Sequence, residues 1–471
     1  MQRQLDTEPI NTKSLHIKTF GCQMNVYDSN RMQSILTAKG FRAEPELRNA
    51  DVILINTCSI RDKSEHKLLS LLGELKGLKE RDPKKVIAVS GCMGQRMGRA
   101  LLQRVPHLDL VLGPDAIDRV GELLEGVIHG GQRLVEAKFD NEGRSYSQPC
   151  NIHRAKPAEL LTIVKGCDHF CTYCIVPFVR GREKSRSIEE IVQDVKNFVA
   201  QGTKDITFLG QNINTYGKGT GQKLSELIEA ANQVKGLERI RYLTSHPRDL
   251  GEDLINQFGS IEKLCPQLHL PFQSGSDRIL KAMSRLYNQE LYLKKIELLR
   301  KASPHMAIST DVIVGFPGET DEDFEATLKV LDEVKFSGAF LFKYSPRPGT
   351  KAAEFGAEVP ENIKDERLAR SQKILNHHIE VENKDYLNKV IPVLIESMDK
   401  KKQYFSGRNP QNKLVHVMNI GDASIGKIID VEITDTNVSC LKGFYVGAPK
   451  NEIKFRRIEN HISSSVSATP N

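Results

Sequence analysis

The chain has 471 residues, 39% of them hydrophobic and 27% charged, with a formal net charge of +7. That length exceeds one ordinary core and calls for two to four domains. No apolar run approaches the roughly 18 residues of a membrane span, and MQRQLDTEPINTK carries acids and no apolar stretch, unlike a presequence, so a cytoplasmic protein with no membrane partner is expected. The mild positive charge permits a nucleic-acid partner without establishing one. Nine cysteines in a reducing compartment point to metal or redox chemistry rather than to disulfides.

From residue 15 to about 130 strand and helix patterns alternate. LHIKTF, DVILIN, KKVIAVS and LDLVLG read as strands, separated by helical runs such as SNRMQSILTAKG and SEHKLLSLLGELKGLKE. The expected fold class is therefore α/β, beginning with a doubly wound parallel sheet. In such sheets ligands bind beyond the carboxyl ends of the strands. Cys22, Cys58 and Cys92 each follow a strand end, about one strand-plus-helix unit apart. One alone reads as a buried thiol; three at equivalent turns read as a ligand set.

From about 155 to 350 a second series follows: LTIV, DITFLG, IRYLTS, QLHLPF, AISTDVIVG and GAFLFKY, with helical runs between them. Six strand–helix units in order fit a partial parallel barrel, whose chemistry gathers at the carboxyl strand ends. Those ends carry GCDHFCTYC, LGQNINTYG, SHP, QSGS, GFPGE and YSPRPGT. A polar helix with heptad-like spacing (ENIKDERLARSQKILNHHIEVENKDYL) then leads to VIPVLIES, QYFSG, KLVHVMN and GKIIDVEITDTNV. Short strands at that spacing suggest a small β-barrel. The polar ending NHISSSVSATPN is expected to be disordered.

The strongest local signal is Cys167, Cys171 and Cys174 in a C-x3-C-x2-C pattern. Structural zinc sites close with four ligands, and here His169 would have to serve as the fourth, only two residues from Cys167. Three thiolates suit a [4Fe–4S] cluster with one iron left open for a chelating substrate.

That triplet at the first strand of a partial barrel resembles the radical S-adenosylmethionine superfamily. KTFGCQMNVYDS, INTCSIRDKSEHK, VSGCMGQR, VKGCDHFCTYCIVPFVRGREKSR and LGQNINTYG, with a terminal barrel, narrow the resemblance to the MiaB family of tRNA methylthiotransferases. It covers about residues 15–457 and implies three domains: a methylthiotransferase domain at 14–135, a radical core with a partial (β/α)6 barrel at 153–383 and an RNA-binding TRAM barrel at 386–457, before a tail at 458–471. The resemblance implies a radical-generating [4Fe–4S] cluster on Cys167, Cys171 and Cys174, an auxiliary one on Cys22, Cys58 and Cys92, and S-adenosylmethionine as cofactor. One cofactor molecule would supply a methyl group to sulfur on the auxiliary cluster; a second would be cleaved by one electron to activate the substrate carbon. Holding both partners together turns a bimolecular encounter into a positioned one.

Gly210, Gln211 and Asn212 stand where related enzymes carry a Gly-Gly-Glu cofactor contact, although glycine and asparagine also favour turns. Gly315 and Glu319 of GFPGE are candidates to pack near the adenine, or to form a plain turn. Arg180, Arg182, Arg186 and Arg408 are candidate contacts to RNA phosphates, with the cofactor carboxylate as an alternative for the first three. Cys150, Cys265 and Cys440 have no partner at ligand spacing and read as structural.

Within the resemblance three substrates compete: N6-dimethylallyladenosine beside the anticodon, N6-threonylcarbamoyladenosine, and a ribosomal-protein aspartate. NTCSIRDKSEHK, with Arg61, resembles the first group. The expected activity is methylthiolation of C2 of N6-dimethylallyladenosine in tRNA, by a monomer served by an electron donor such as a flavodoxin or ferredoxin. The contrasting class is a non-catalytic iron–sulfur RNA-binding protein or electron carrier, but simple carriers saturate each cluster with four cysteines.

Overall fold

The computed structural model describes residues 13–59, 62–139, 155–399 and 404–447. Arg61, Cys150 and the tail at 458–471 lie outside the described residues. The first body is a six-stranded sheet, parallel throughout, in the order β2-β1-β3-β4-β5-β6. Its strands are β1 (Ser14–Phe20), β2 (Arg42–Ala43), β3 (Val52–Thr57), β4 (Val86–Ser90), β5 (Leu110–Leu112) and β6 (Leu134–Glu136). Helices α1 (Gln23–Ala38), α2 (Asp62–Arg81), α3 (Cys92–Arg104) and α4 (Val120–Gly130) cover both faces. Every residue of β3 is buried because alternate side chains serve opposite layers. Val52 and Leu54 join Met32, Leu36 and Val120 on one face; Ile53 and Ile55 join Leu68, Leu72 and Leu101 on the other. A strand buried on both faces reads as a continuous apolar run. Strand order reverses between β1 and β3, the switch point at which such sheets open a crevice.

The second body is a partial barrel. Its main strands are β7 (Ala158–Thr162), β10 (Asp205–Leu209), β11 (Arg239–Tyr242), β12 (Gln267–His269), β13 (Ala307–Val314) and β14 (Gly338–Lys343). They form two parallel three-stranded sheets, joined where the Ile240 amide donates to Lys263 O and the Cys265 amide to Ile240 O. Among the described residues no ladder joins β14 back to β7. The expected strand LTIV is split: β7 ends at Thr162, and β8 (Val164–Lys165) pairs antiparallel with β9 (Lys184–Ser185). That ribbon closes a loop holding the cysteine triplet and the short helix α5 (Val176–Arg180). IRYLTS and QLHLPF also pair over less than expected, ending at Tyr242 and His269; Thr244 takes φ 71°, which leaves the extended region.

Six longer helices follow in order: α6 (Ile188–Ala200), α7 (Leu224–Asn232), α8 (Glu252–Ser260), then α9 (Asp277–Ala282), α10 (Gln289–Ala302) and α11 (Asp321–Val334). Capping boxes at Ser187–Glu190 and Thr320–Asp323 start α6 and α11, each satisfying two otherwise orphaned amides. The polar α12 (Glu361–Lys384) buries Leu375 and Ile379 in the barrel's own apolar cluster.

The third body is a closed antiparallel-rich barrel, β15-β16-β17-β19-β18. It comprises β15 (Val390–Asp399), β16 (Tyr404–Arg408), β17 (Leu414–Met418), β18 (Ile428–Thr436) and β19 (Leu441–Tyr445). Alternate residues Val393, Ile395, Val415, Val417, Val431 and Ile433 fill its interior, the period-2 pattern of a strand with one wet face. It docks on the amino-terminal edge of the central barrel. Arg239 donates to Arg408 O (2.7 Å) and Pro392 O (3.1 Å), and Arg241 to Pro410 O (2.7 Å) and Asn409 O (3.0 Å). Among the described residues no helix is long and apolar enough to cross a membrane.

Candidate iron–sulfur centres

Cys22 caps α1, Cys58 directly follows β3 and Cys92 opens α3. Two glycines allow their approach. Gly21 (φ +143°) has no room for a Cβ, which would lie 2.7 Å from Cys58 Cβ. Gly91 (φ +90°) sits where a Cβ would meet Asn56 Oδ1 at 2.4 Å and Thr57 O at 2.5 Å. The sheet end is braced beneath them: Asn56 Nδ2 donates to Asn25 O (2.8 Å) and Ser29 Oγ (2.9 Å), and Asn25 Nδ2 returns a bond to Asn56 Oδ1 (3.1 Å). The thiols hydrogen-bond one another. The Cys58 proton is shared with its neighbours, which drives its pKa up, while Cys22 falls to about 6 and Cys92 to about 7 as acceptors from Cys58, helped by the Arg180 charge. Three converging thiols, two of them lowered by a shared proton and by a buried arginine, fit a cationic metal cluster better than an inert core.

The second trio lies in the loop between β8 and β9. Cys174 N donates to Cys171 O (2.9 Å), and Cys167 N to Gly181 O (3.2 Å). Gly166 (φ +79°) could carry no Cβ, which would fall 2.1 Å from Arg182 O. Burial pushes Cys167 and Cys174 up to about 12, and the neighbouring thiol of Cys171 adds to both shifts. Raised thiols that repel one another's charge call for a metal to hold them ionised. Arg285, buried beneath them, donates to Pro271 O (3.0 Å) and lies 3.6 Å from Cys171 Sγ. Nothing in MSRLYN marks that arginine out; only the fold brings it to Cys171.

Of Gly210, Gln211 and Asn212, Gln211 bonds the start of this loop directly and Asn212 meets it through Asp249. Gln211 Oε1 accepts from the Gly166 amide (2.6 Å), and Asn212 Nδ2 donates to Asp249 Oδ2 (2.7 Å). Asp249 also bonds His169 Nε2 (2.5 Å), whose ring stacks on His246 at 4.3 Å. Burial would raise Asp249, but the hydrogen bonds from His169 and Asn212 outweigh it and leave it at about 2. Burial and the Arg285 charge press His246 down to about 2. His169 Nε2 is thereby committed to Asp249, which leaves Nδ1 as the ring nitrogen for any other partner. Sequence reasoning marked SHP as unusual but did not single out His246 or Asp249.

Gly315 and Glu319 form a closed turn. Glu319 accepts from the Gly315 amide (2.6 Å) and from Arg367 (2.7 Å), with its side chain fully buried. One oxygen of its carboxylate, Oε2, thus holds the turn and α12, while Oε1 is buried without a hydrogen-bond partner. Two of the expected RNA-contacting arginines are drawn into ion pairs with buried carboxylates. Arg186 pairs with Asp194 (2.7 Å), and Arg180 with Asp28 (2.7 Å) while its Nε donates to Cys92 Sγ (3.1 Å). Arg182 is exposed, over the half-exposed ring of Phe170 at 5.2 Å. Arg408 is half exposed, but its segment faces the amino-terminal edge of the central barrel, away from the cysteine-bearing strand ends. Cys265 and Cys440 are buried apart from both trios.

The two trios belong to one region. Ile175, immediately after Cys174, packs with Val179 on Cys92. Met24 and Tyr27 of α1 enter the apolar cluster of the central barrel, and burying such side chains contributes roughly 1.5–3 kcal/mol each. Arg347 of YSPRPGT, lowered by burial, lies within electrostatic reach of Cys58. The first body is thus docked with its cysteine-bearing edge against the loops of the second.

The uncharacterized protein family UPF0004 matches residues 14–113, and the Radical SAM superfamily matches residues 161–331. A tRNA-2-methylthio-N(6)-dimethylallyladenosine synthase of Clostridium tetani is 42% identical over 91% of this chain and 95% of its own. Its namesake in a Sulfurihydrogenibium species is 43% identical over 92% and 99%. Among solved structures, the radical S-adenosylmethionine methyltransferase TsrM of Kitasatospora setae superposes with a TM-score of 0.56 at 13% identity, covering 72% of this chain and 77% of that one. That likeness bears on the fold, whereas the near-full-length identities decide the family. On those identities the chain belongs to the tRNA-2-methylthio-N(6)-dimethylallyladenosine synthase family of the radical S-adenosylmethionine superfamily.

Proposed function

We propose that this protein methylthiolates C2 of N6-dimethylallyladenosine in tRNA, on the 3′ side of the anticodon. The observation that carries the reading is the pair of three-cysteine sets at neighbouring strand ends, bridged by Ile175 and Val179 of the α5 segment. We assign Cys22, Cys58 and Cys92 to an auxiliary [4Fe–4S] cluster and Cys167, Cys171 and Cys174 to the cluster that serves S-adenosylmethionine. Bound there, these groups supply the sulfur, the methyl group and the electron that the chemistry needs.

The chain's own side chains do the rest. Gly21 and Gly91 let the first trio converge, and Arg285 sets a buried positive charge beside Cys171. Asp249 fixes Asn212 and His169 together, so the Gly210–Asn212 turn and the triplet loop form one rigid wall for the cofactor. Ile175, Val179 and the α1 contacts exclude water between the bodies, which strengthens every charge interaction inside. Arg182, beside Phe170, offers a phosphate or base contact near the triplet. The C-terminal barrel, read as TRAM, holds RNA on the far edge through Arg408, so a bound anticodon stem reaches around the central barrel. The domain limits 14–135, 153–383 and 386–457 fit this division of labour. A cytoplasmic monomer reduced by a flavodoxin or ferredoxin completes the reading.

The test is nucleoside mass spectrometry of tRNA from cells lacking the gene, with anaerobically reconstituted protein added back. Loss and restoration of 2-methylthio-N6-dimethylallyladenosine are expected. Persistence of that nucleoside, with loss of the threonylcarbamoyl counterpart or of ribosomal-protein methylthiolation, would overturn the assignment.

A further inference from the structure

Four ionisable side chains meet at the seam between the first two bodies. Arg180 and Lys165 come from the central barrel; Asp28 and Asp115 come from the first sheet. The Arg180–Asp28 pair is 2% and 0% exposed, and the Lys165–Asp115 contact 4% and 7%. Buried ion pairs seldom repay their own desolvation, and well-packed apolar residues would join two domains at least as well. The geometry of Arg180 shows what its charge does besides docking. Its fork is divided: Nη1 lies 2.7 Å from Asp28 Oδ2 as an ion pair while Nε donates to Cys92 Sγ at 3.1 Å. It sits six residues after Cys174, on the chain segment that also supplies Ile175 and Val179 to Cys92. The sulfur thus receives a fixed N–H bond and a full positive charge from the neighbouring domain.

We propose that Arg180, anchored by Asp28, is a positioning residue for the auxiliary centre: it orients Cys92 Sγ and raises the reduction potential of the group that Cys22, Cys58 and Cys92 hold. The inference rests on the ligand assignment above. Its physical basis is general. A nearby cation and an N–H bond to a ligating sulfur both stabilise the more negative, reduced state, and outer partners of a ligand fix its orientation. Arginine suits the task because it pairs with the carboxylate through one nitrogen and donates to the sulfur through another, which a lysine ammonium on a flexible stem does not.

The test uses the full chain with Cys167→Ala, Cys171→Ala and Cys174→Ala, reconstituted anaerobically, so that the remaining cluster signal belongs to the auxiliary centre. Its midpoint potential is read by electron paramagnetic resonance titration, and iron retention by challenge with a chelator. Arg180→Gln is expected to lower the potential and weaken iron retention by about 10-fold, the lower end for loss of an outer partner. Arg180→Lys should fall between Arg180→Gln and the parent. Asp28→Asn keeps the guanidinium, removes its counter-charge and should raise the potential. A purely structural role predicts no such opposed pair of shifts. Equal potentials in parent, Arg180→Gln and Asp28→Asn, or shifts of the same sign, would overturn the proposal. Should Arg180→Gln fail to load, Arg180→Lys decides alone: a lowered potential supports the proposal, and an unchanged or raised one overturns it. A parent that binds no iron in this background overturns the ligand assignment itself, and this inference with it.

Discussion

The C-terminal barrel is held by two arginines that reach it from the amino-terminal edge of the central barrel. Arg241 is 3% exposed; its Nε pairs with Asp205 at 2.9 Å while both Nη atoms donate to Pro410 O and Asn409 O. Replacing Arg241 alone would strand Asp205, itself 3% exposed, which costs about 3–5 kcal/mol of overall stability. The double variant Asp205→Ala/Arg241→Ala removes both charges and isolates the docking contribution. Each bond from a charged donor to a carbonyl is worth about 1.5–3 kcal/mol. Losing two, with partial compensation by water, weakens docking by about 3 kcal/mol, or roughly a hundredfold in the docked-to-undocked ratio. Arg239, the Lys413–Glu382 pair and the Asn383–Asn437 bond remain, so the barrel should open transiently rather than separate. The assay is limited proteolysis at the connection 385–389 between α12 and β15, alongside tRNA affinity. Faster cleavage and weaker tRNA binding are expected, with S-adenosylmethionine cleavage in the absence of tRNA retained. Unchanged proteolysis and unchanged affinity would refute both the docking role of Arg241 and the RNA-holding role of the barrel.

Cys22→Ala should keep S-adenosylmethionine cleavage and abolish methylthiolation, whereas Cys171→Ala should stop cleavage itself; paired assays of 5′-deoxyadenosine and modified nucleoside check both, and full product yield from Cys22→Ala would refute its assignment. Gly91→Ala places a methyl group 2.4 Å from Asn56 Oδ1 at φ +90°, so the start of α3 must shift and iron per chain should fall by about one cluster's worth. Wild-type iron content in that variant would show the trio to be tolerant or misassigned. Glu319→Ala leaves Arg367 with Asp321 alone as carboxylate partner and should destabilise the fold by about 3 kcal/mol, read by urea unfolding. Intact stability with weakened S-adenosylmethionine binding would assign Glu319 the cofactor role instead.

Much of the plan is local and therefore written in the chain. The unbroken apolar run of β3 marks a strand with two covered faces, and the alternation in β17 and β18 marks one covered face. The triplet at Cys167, Cys171 and Cys174 is legible because its ligands share one loop. Cys22, Cys58 and Cys92 are legible at one remove, since a parallel sheet brings successive strand ends to the same edge.

What the linear pattern leaves undecided is the fate of polar side chains whose partners lie in another body. Arg180, Arg182 and Arg186 occupy one basic stretch with no difference in propensity to separate them. Tertiary structure sends Arg180 to Asp28 and Cys92, Arg186 to Asp194 and Arg182 to the surface beside Phe170. Glu319 likewise reads as a free carboxylate until α12 supplies Arg367. Periodicity records which face of an element avoids water, so it fixes strands, helices and layers. The desolvation of a charge depends on what is packed against it from distant sequence, and only the assembled bodies determine whether it meets a counter-charge, a sulfur or the solvent.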